Sequence, residues 1–318
     1  MMALLRIQDL TTYFFMKQGT VKAVDGVDLH LNSGRVLGVA GESGSGKSTM
    51  AYSVMRLIRP PGRIVKGEIL LEGRDILRLS DEQIRKDIRW ERISLIFQGA
   101  MNALNPLITV GNQIAEPIIV HKGLDKRDAL EKASSLLGSV GIDPARVNNY
   151  PFELSGGMKQ RIMIAMAMAC NPEIIIADEP TTALDVVVAA GIMNLIKDLQ
   201  TKTGLSMILI THDLSVIAQT CHDVAIMYAG KVVESGEVLS IFESPAHPYT
   251  IELINAFPSI KGAKRELKAI KGTPPDLIDP PSGCRFHPRC RFAKEICNRK
   301  DPEFREVGTN HFAACHLL

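Results

Sequence analysis

The chain has 318 residues, 46% of them hydrophobic, with 37 Lys and Arg against 35 Asp and Glu for a formal charge of +2. This length allows two domains, or one core with an extension, and the apolar content is ample for packing. The near balance of charge excludes polyanion binding by bulk charge alone, and no apolar run reaches the ~18 residues a membrane-crossing helix needs. The opening Met-Met-Ala-Leu-Leu-Arg lacks a secretory signal's order of charge, apolar core and cleavage site, so a cytosolic protein is expected. Six cysteines in that setting do not imply a disulfide framework.

Leu4 to Phe15 and Val21 to Asn32 alternate as strands joined near Gly19, an antiparallel pair expected to flank a nucleotide. Tyr13, Phe14 and Phe15 form an aromatic cluster. One ring can stack on a base, with plain sheet packing as the competing reading. Val36 to Ala40 is a buried strand, followed by Gly41-Glu42-Ser43-Gly44-Ser45-Gly46-Lys47-Ser48-Thr49 and a helix from Lys47 to about Ile58. This is the phosphate-binding pattern G-x-x-x-x-G-K-S/T in its strand–loop–helix context. The glycines let the backbone approach a polyphosphate. Loop amides and the helix N-terminus direct partial positive charge at it. Lys47 can reach the β- and γ-phosphates and the Ser48 hydroxyl can ligate Mg²⁺.

Past the break at Pro60-Pro61-Gly62, Lys66 to Leu71 reads as a strand, and Ser80-Asp81-Glu82-Gln83 as a capping box for a helix to about Trp90. The apolar strand Ile93 to Phe97 ends at Gln98. A polar residue there faces the ligand crevice, able to touch Mg²⁺ or the attacking water. Helical spacing at Val110 to His121 and at Lys126 to Val140, with Asp125 as a cap, marks a helical insertion running to Cys170.

Leu154-Ser155-Gly156-Gly157-Met158-Lys159-Gln160-Arg161 lies inside the insertion. Ser155 is a helix N-cap, and Gly156 and Gly157 leave first-turn amides open, which makes a second anion site. Two phosphate sites with one phosphate loop point to sharing between copies. Glu173 to Pro180 holds a buried strand that delivers Asp178 and Glu179. Asp178 would hold Mg²⁺ and Glu179 would polarise the attacking water as general base. Ala183-Leu184-Asp185 opens another helix. The strand Ser206 to Thr211 presents His212, able to hydrogen-bond the γ-phosphate, and a hairpin around Ala229-Gly230 closes the core.

Four of the cysteines, Cys284, Cys290, Cys297 and Cys315, lie in the tail with spacing C-x5-C-x6-C-x17-C, beyond a Pro/Gly/Lys linker over 258–283. Four thiolates in a segment with little core of its own point to a metal site that would supply folding energy. The donors alone leave zinc open, with His287, His311 and His316 as substitute ligands. Cys170 and Cys221 read as packed thiols. Residues 261–300 hold 11 Lys and Arg against 4 Asp and Glu, a stretch that suits a membrane surface, a nucleic acid or simply solvent.

The order phosphate loop, Gln98, Leu-Ser-Gly-Gly-Met-Lys-Gln, Asp178-Glu179, Ala-Leu-Asp, His212 resembles the ATP-binding-cassette (ABC) family over about residues 3 to 240. The resemblance implies an α/β P-loop NTPase core with an antiparallel β subdomain and a helical subdomain at about 99–170, a cassette domain over 1–240 and an extension over 241–318. It implies a head-to-tail dimer holding two ATP molecules between phosphate loop and signature loop, with Glu179 as catalytic glutamate. Phe14 matches the adenine-stacking aromatic best, with Tyr13 next. Gln98 and the insertion match the parts that couple ATP to membrane subunits.

Ile241-Phe242-Glu243-Ser244-Pro245-Ala246-His247-Pro248-Tyr249-Thr250 and Gly272-Thr273-Pro274-Pro275-Asp276-Leu277 resemble segments of the D-type ATPase subunits of dipeptide and oligopeptide importers. Members with such a tail carry a 4Fe–4S cluster, here on Cys284, Cys290, Cys297 and Cys315 in place of zinc. The implied partners are two transmembrane permease subunits, a second cassette ATPase chain (a related chain or a second copy) and, indirectly, an extracytoplasmic solute-binding protein. The implied location is the cytoplasmic face of the membrane, with no nucleic acid bound. The competing readings are an importer ATPase for another solute such as nickel, a soluble non-transport cassette ATPase, and a tail acting as a nucleic-acid-binding metal module.

Overall fold

The computed structural model describes residues 3–99, 103–256 and 270–318. β1 (Leu5–Met16) and β2 (Gly19–Leu31) pair antiparallel, and β3 (Val36–Ala40) is buried at all five positions, as a strand covered on both faces must be. α1 (Lys47–Val54) is shorter than its spacing predicts. Arg56 turns to φ +49° and the Leu57 N–H bonds Tyr52 O at 2.8 Å, which ends the helix before Ile58. β4 (Gly62–Leu71) starts earlier than expected because its first half also pairs with β1, and β5 (Arg74–Asp75) follows.

The capping box forms in both directions, Gln83 N–H to Ser80 Oγ at 3.2 Å and Ser80 N–H to Gln83 Oε1 at 2.9 Å. It opens a single turn, α2 (Asp81–Gln83), which widens into a π-helical stretch over Ile84–Ile88. β6 (Ile93–Ile96) precedes α3 (Val110–Lys122) and α4 (Lys126–Ser139), whose Asp125 cap accepts the Asp128 N–H at 2.9 Å. Then come α5 (Gly156–Met168), β7 (Ile174–Asp178), α6 (Val186–Thr203) and β8 (Ser206–Ile210). α7 (Leu214–Thr220), β9 (Asp223–Tyr228) and β10 (Lys231–Glu237) follow, the last two forming the expected hairpin. The chain finishes with α8 (Val238–Glu243), α9 (Pro248–Asn255), β11 (Phe304–Gly308) and β12 (His311–Ala314).

Two compact units result, divided within β8. One combines the segment up to Leu77 with the segment from Leu209 onward, and the other is Arg78–Ile208. The first unit holds an antiparallel sheet in the order β2-β1-β4-β5. It also holds strands in the order β11-β12-β10-β9-β3, in which β9 runs parallel to β3. Its core joins Ala40, Leu214 and Ile226 to Tyr228, Tyr249, Leu253 and Phe286. The tail therefore packs into the first unit's core, and β12 adds to the edge of β10 through Glu234↔Ala313 and Ser235↔Phe312. In the second unit β6 and β7 are parallel, and α3 packs on α4 and α5 over buried Ile114, Ile118, Ala133, Leu137 and Ile162.

Among the described residues no helix is long and apolar enough to cross a membrane. The predicted linker over 258–283 and the basic stretch over 261–300 lie partly outside the described residues, and so do residues 100–102 of the helical insertion.

Candidate functional site

In the first unit the phosphate loop is pressed between strands. Gly41 (φ +151°) has the Met227 carbonyl oxygen 2.1 Å from where a Cβ would stand, and Gly46 (φ +101°) has the Ala23 carbonyl oxygen at the same distance. Only glycine fits either position. Lys47 is 5% exposed. Its ammonium donates to Gly41 O and Glu42 O at 2.8 Å each and to Ser45 Oγ at 3.2 Å, lying back over its own loop. Ser43 and Gly44 are exposed, Ser45 is buried, and Ser48 and Thr49 open α1 half-buried.

The three aromatics of β1 separate rather than cluster. The Tyr13 hydroxyl donates to Asp25 Oδ1 at 2.5 Å. Burial, then the hydrogen bond to Asp25 and its charge, push the Tyr13 phenol up to about 12. Phe14 lies against Gly62, where an added Cβ would come within 2.6 Å of its ring. Phe15 is capped by the Arg63 guanidinium, 4.2 Å from its centroid. His212 is exposed, just past β8 and ahead of α7.

In the second unit β7 ends on Asp178, which is 0% exposed. Glu179 follows at φ +45°, a strained conformation for a non-glycine residue and one that gathers at functional sites. Its Oε2 accepts from Gln98 Nε2 at 2.9 Å and from Thr182 Oγ1 at 2.8 Å. The structure thus joins two residues singled out from sequence and adds Thr182, whose only prior signal was a hydroxyl three positions after a carboxylate. At the signature loop Ser155 Oγ caps α5 by accepting the Met158 N–H at 3.4 Å. Gly156 and Gly157 are half-buried at its start. A Cβ on Gly157 would meet Val188 Cγ1 of α6 at 2.6 Å.

The tail cysteines share one neighbourhood. Burial pushes the Cys284 thiol up to about 11, with Cys315, Cys297 and Cys290 adding to it, and burial likewise raises Cys290 and Cys315. Cys297 Sγ accepts the Lys294 N–H at 3.4 Å and Cys315 Sγ the Leu317 N–H at 3.5 Å, while the backbone at Phe286 and Phe292 works against the rise at Cys284 and Cys290. The histidines weighed as substitute ligands are engaged elsewhere. His311 Nε2 bonds Glu234 Oε1 at 2.7 Å, His316 Nε2 bonds Lys300 O at 2.7 Å, and His287 Nδ1 bonds Cys284 O at 3.0 Å. Among the described residues no group of three or more His, Cys, Asp or Glu side chains is arranged to hold a single metal ion. Cys170 is buried with its thiol on Pro117 O at 3.4 Å, and Cys221 packs against the first unit's core.

A family model described as "ABC transporter" matches residues 24–182, and one described as "Oligopeptide/dipeptide transporter, C-terminal region" matches residues 233–297. The chain is 43% identical to "Dipeptide transport ATP-binding protein DppD" of Escherichia coli (strain K12), over 99% of this chain and 97% of that protein. It is 46% identical to "Oligopeptide transport ATP-binding protein OppD" of Bacillus subtilis (strain 168), over 99% of this chain and 89% of that protein. A solved structure titled "Dimeric structure of a post-hydrolysis state of the ATP-binding cassette MJ0796 bound to ADP and Pi" superposes with a TM-score of 0.66 at 30% identity, covering 74% of this chain and 98% of that one. Motifs, fold and relatives agree, and the chain belongs to the ABC transporter family as one of its ATPases.

Proposed function

We propose that this ATPase powers uptake of dipeptides or oligopeptides through two partner permease subunits, seated at the cytoplasmic face of the membrane. The observation that carries the reading is the match of residues 233–297 to the C-terminal region of oligopeptide and dipeptide transporters. Near-full-length relatives named for dipeptide and oligopeptide transport support it. The cassette spans 1–240, with its helical subdomain at about 99–170, and the extension spans 241–318. Leu107, Val120 and Phe152 in the helical region are exposed apolar side chains available for permease contact. A second cassette chain, a related subunit or another copy, completes the ATP pair, and a solute-binding protein delivers the peptide from outside.

Amides of Ser43 to Thr49 and the start of α1 bind the ATP phosphates, with the Lys47 ammonium swinging from its loop carbonyls onto the β- and γ-phosphates. Phe14 or Tyr13 stacks on adenine. Ser48, Gln98 and the buried carboxylate of Asp178 are hard oxygen donors that would hold Mg²⁺, and the ion would supply neutralising charge to the phosphates. Glu179, held by Gln98 and Thr182, takes the proton of the attacking water, and His212 donates to the γ-phosphate. Ser155, Gly156 and Gly157 contact the ATP bound by the partner cassette.

Cys284, Cys290, Cys297 and Cys315 hold a 4Fe–4S cluster. Four neighbouring thiols, two of them accepting a backbone N–H, are the donor set such a cluster takes. Iron, sulfide and zinc assay of anaerobically purified protein decides between the cluster, at about four irons per chain, and zinc.

The transport test is uptake of labelled peptides by cells carrying the wild-type chain or Glu179→Gln. Peptide uptake should disappear in the variant with nickel accumulation unchanged. Lost nickel accumulation with normal peptide uptake would move the reading to a metal importer.

A further inference from the structure

Two arginines beside the tail cysteines reach out of the tail. Arg289, directly before Cys290, places NH1 2.6 Å from Glu42 Oε2 and NH2 2.9 Å from Glu42 Oε1. Its Nε donates to Lys271 O at 2.9 Å and NH1 also to the Tyr228 hydroxyl at 3.1 Å. The Arg289 side chain is 6% exposed and that of Glu42 23%. The Glu42 amide in turn donates to the Tyr249 hydroxyl at 2.9 Å. The second residue of the phosphate loop is therefore held at its backbone by Tyr249 and at its side chain by Arg289. Arg285, directly after Cys284, repeats the pattern. It pairs with Asp25, the same carboxylate that receives the Tyr13 hydroxyl, and donates to Ala229 O.

A carboxylate in a phosphate loop repels the polyphosphate unless it is neutralised and turned aside. A buried bidentate guanidinium does both, and its planar fork fixes the carboxylate's direction in a way an ammonium does not. A simple staple for the tail would not need to land on the loop that receives phosphate, nor on the partner of a base-stacking candidate.

We infer that Arg289 is a positioning residue for the phosphate loop, acting through Glu42, and that Arg285 does the same for Tyr13 through Asp25, so that the folded tail sets the affinity for MgATP. This rests on the reading of Gly41 to Thr49 as the ATP phosphate site.

The test is the equilibrium affinity of the full chain for a fluorescent MgATP analogue. Arg289→Ala should weaken binding about tenfold, the loss expected for charge-assisted hydrogen bonds. Arg289→Lys should recover part of it. In a Glu42→Ala background, Arg289→Ala should have no further effect. A merely structural staple would lower the melting temperature and leave affinity alone. That result, or an equal loss in the Glu42→Ala background, overturns the inference. If Arg289→Ala proves too unstable to isolate, Arg289→Lys replaces it in the same cycle with the same criterion. Failure of the unaltered chain to bind MgATP would instead sink the phosphate-site reading.

Discussion

Gly46 carries a left-handed backbone angle and a carbonyl oxygen 2.1 Å from its missing Cβ, so two penalties coincide at one position. Gly46→Ala should abolish MgATP binding and lower the melting temperature, and titration with a fluorescent nucleotide checks it. His247 offers a different kind of test. Its Nδ1 accepts the Tyr249 N–H at 3.0 Å, and burial holds its pKa down at about 3. An unfolded histidine titrates near 6.5, so between those values the unfolded chain binds a proton that the folded chain refuses. Stability from this group is complete above pH ~6.5 and falls on acidification by at most about 1.4 kcal/mol per pH unit. His247→Asn, which keeps a capping acceptor, should flatten the denaturation midpoint against pH relative to the parent. Parallel profiles would show that the ring takes its proton while folded. The places in the fold of Lys47 at the phosphate loop, Ser155 as the cap of α5 and Asp178 at the end of β7 were legible in the sequence, because each is set by covalent spacing. The choice between Tyr13 and Phe14 was not, because the β1–β2 register slips between Thr12 and Phe14 and an irregular strand re-aims its side chains.

Among the elements, α5 begins at an N-cap whose hydroxyl answers one first-turn amide. Ser155→Ala should cost about 1 kcal/mol of stability, as for other caps, measured by chemical denaturation. If Ser155 also binds nucleotide from a partner cassette, turnover should fall well beyond what that loss explains. Helices and parallel strands were readable wherever burial imposed a period, as in α4 with its Asp125 cap or β7 with five buried residues. β11 left no such trace. All five of its residues are exposed, so no alternation marks Phe304–Gly308, and it exists because β12 supplies its hydrogen bonds. The end of α1 was equally hidden, since the turn at Arg56 is a backbone choice made by neighbours.

For the whole molecule, the tail, expected to have little core of its own, shares the core of the first unit. Phe286 is 1% exposed and meets the rings of Tyr228 at 5.2 Å, Tyr249 at 5.3 Å and His247 at 5.8 Å. Phe286→Ala should therefore destabilise the first unit by about 3–5 kcal/mol, the usual cost of removing a buried ring. A melting transition identical to the parent's would mean that the tail unfolds by itself.

The contacts at Glu42 and Asp25 join residues 247 and 260 positions apart in the chain. A ribosome delivers the phosphate loop long before Arg285 and Arg289. During synthesis the cassette therefore waits, for most of its length, without the pieces that brace its nucleotide loop, and long-range closures of this kind are the slow ones. Nascent chains that stop short of Arg289 should accordingly be poor ATP binders, and ATP engagement should begin only after that arginine has been made.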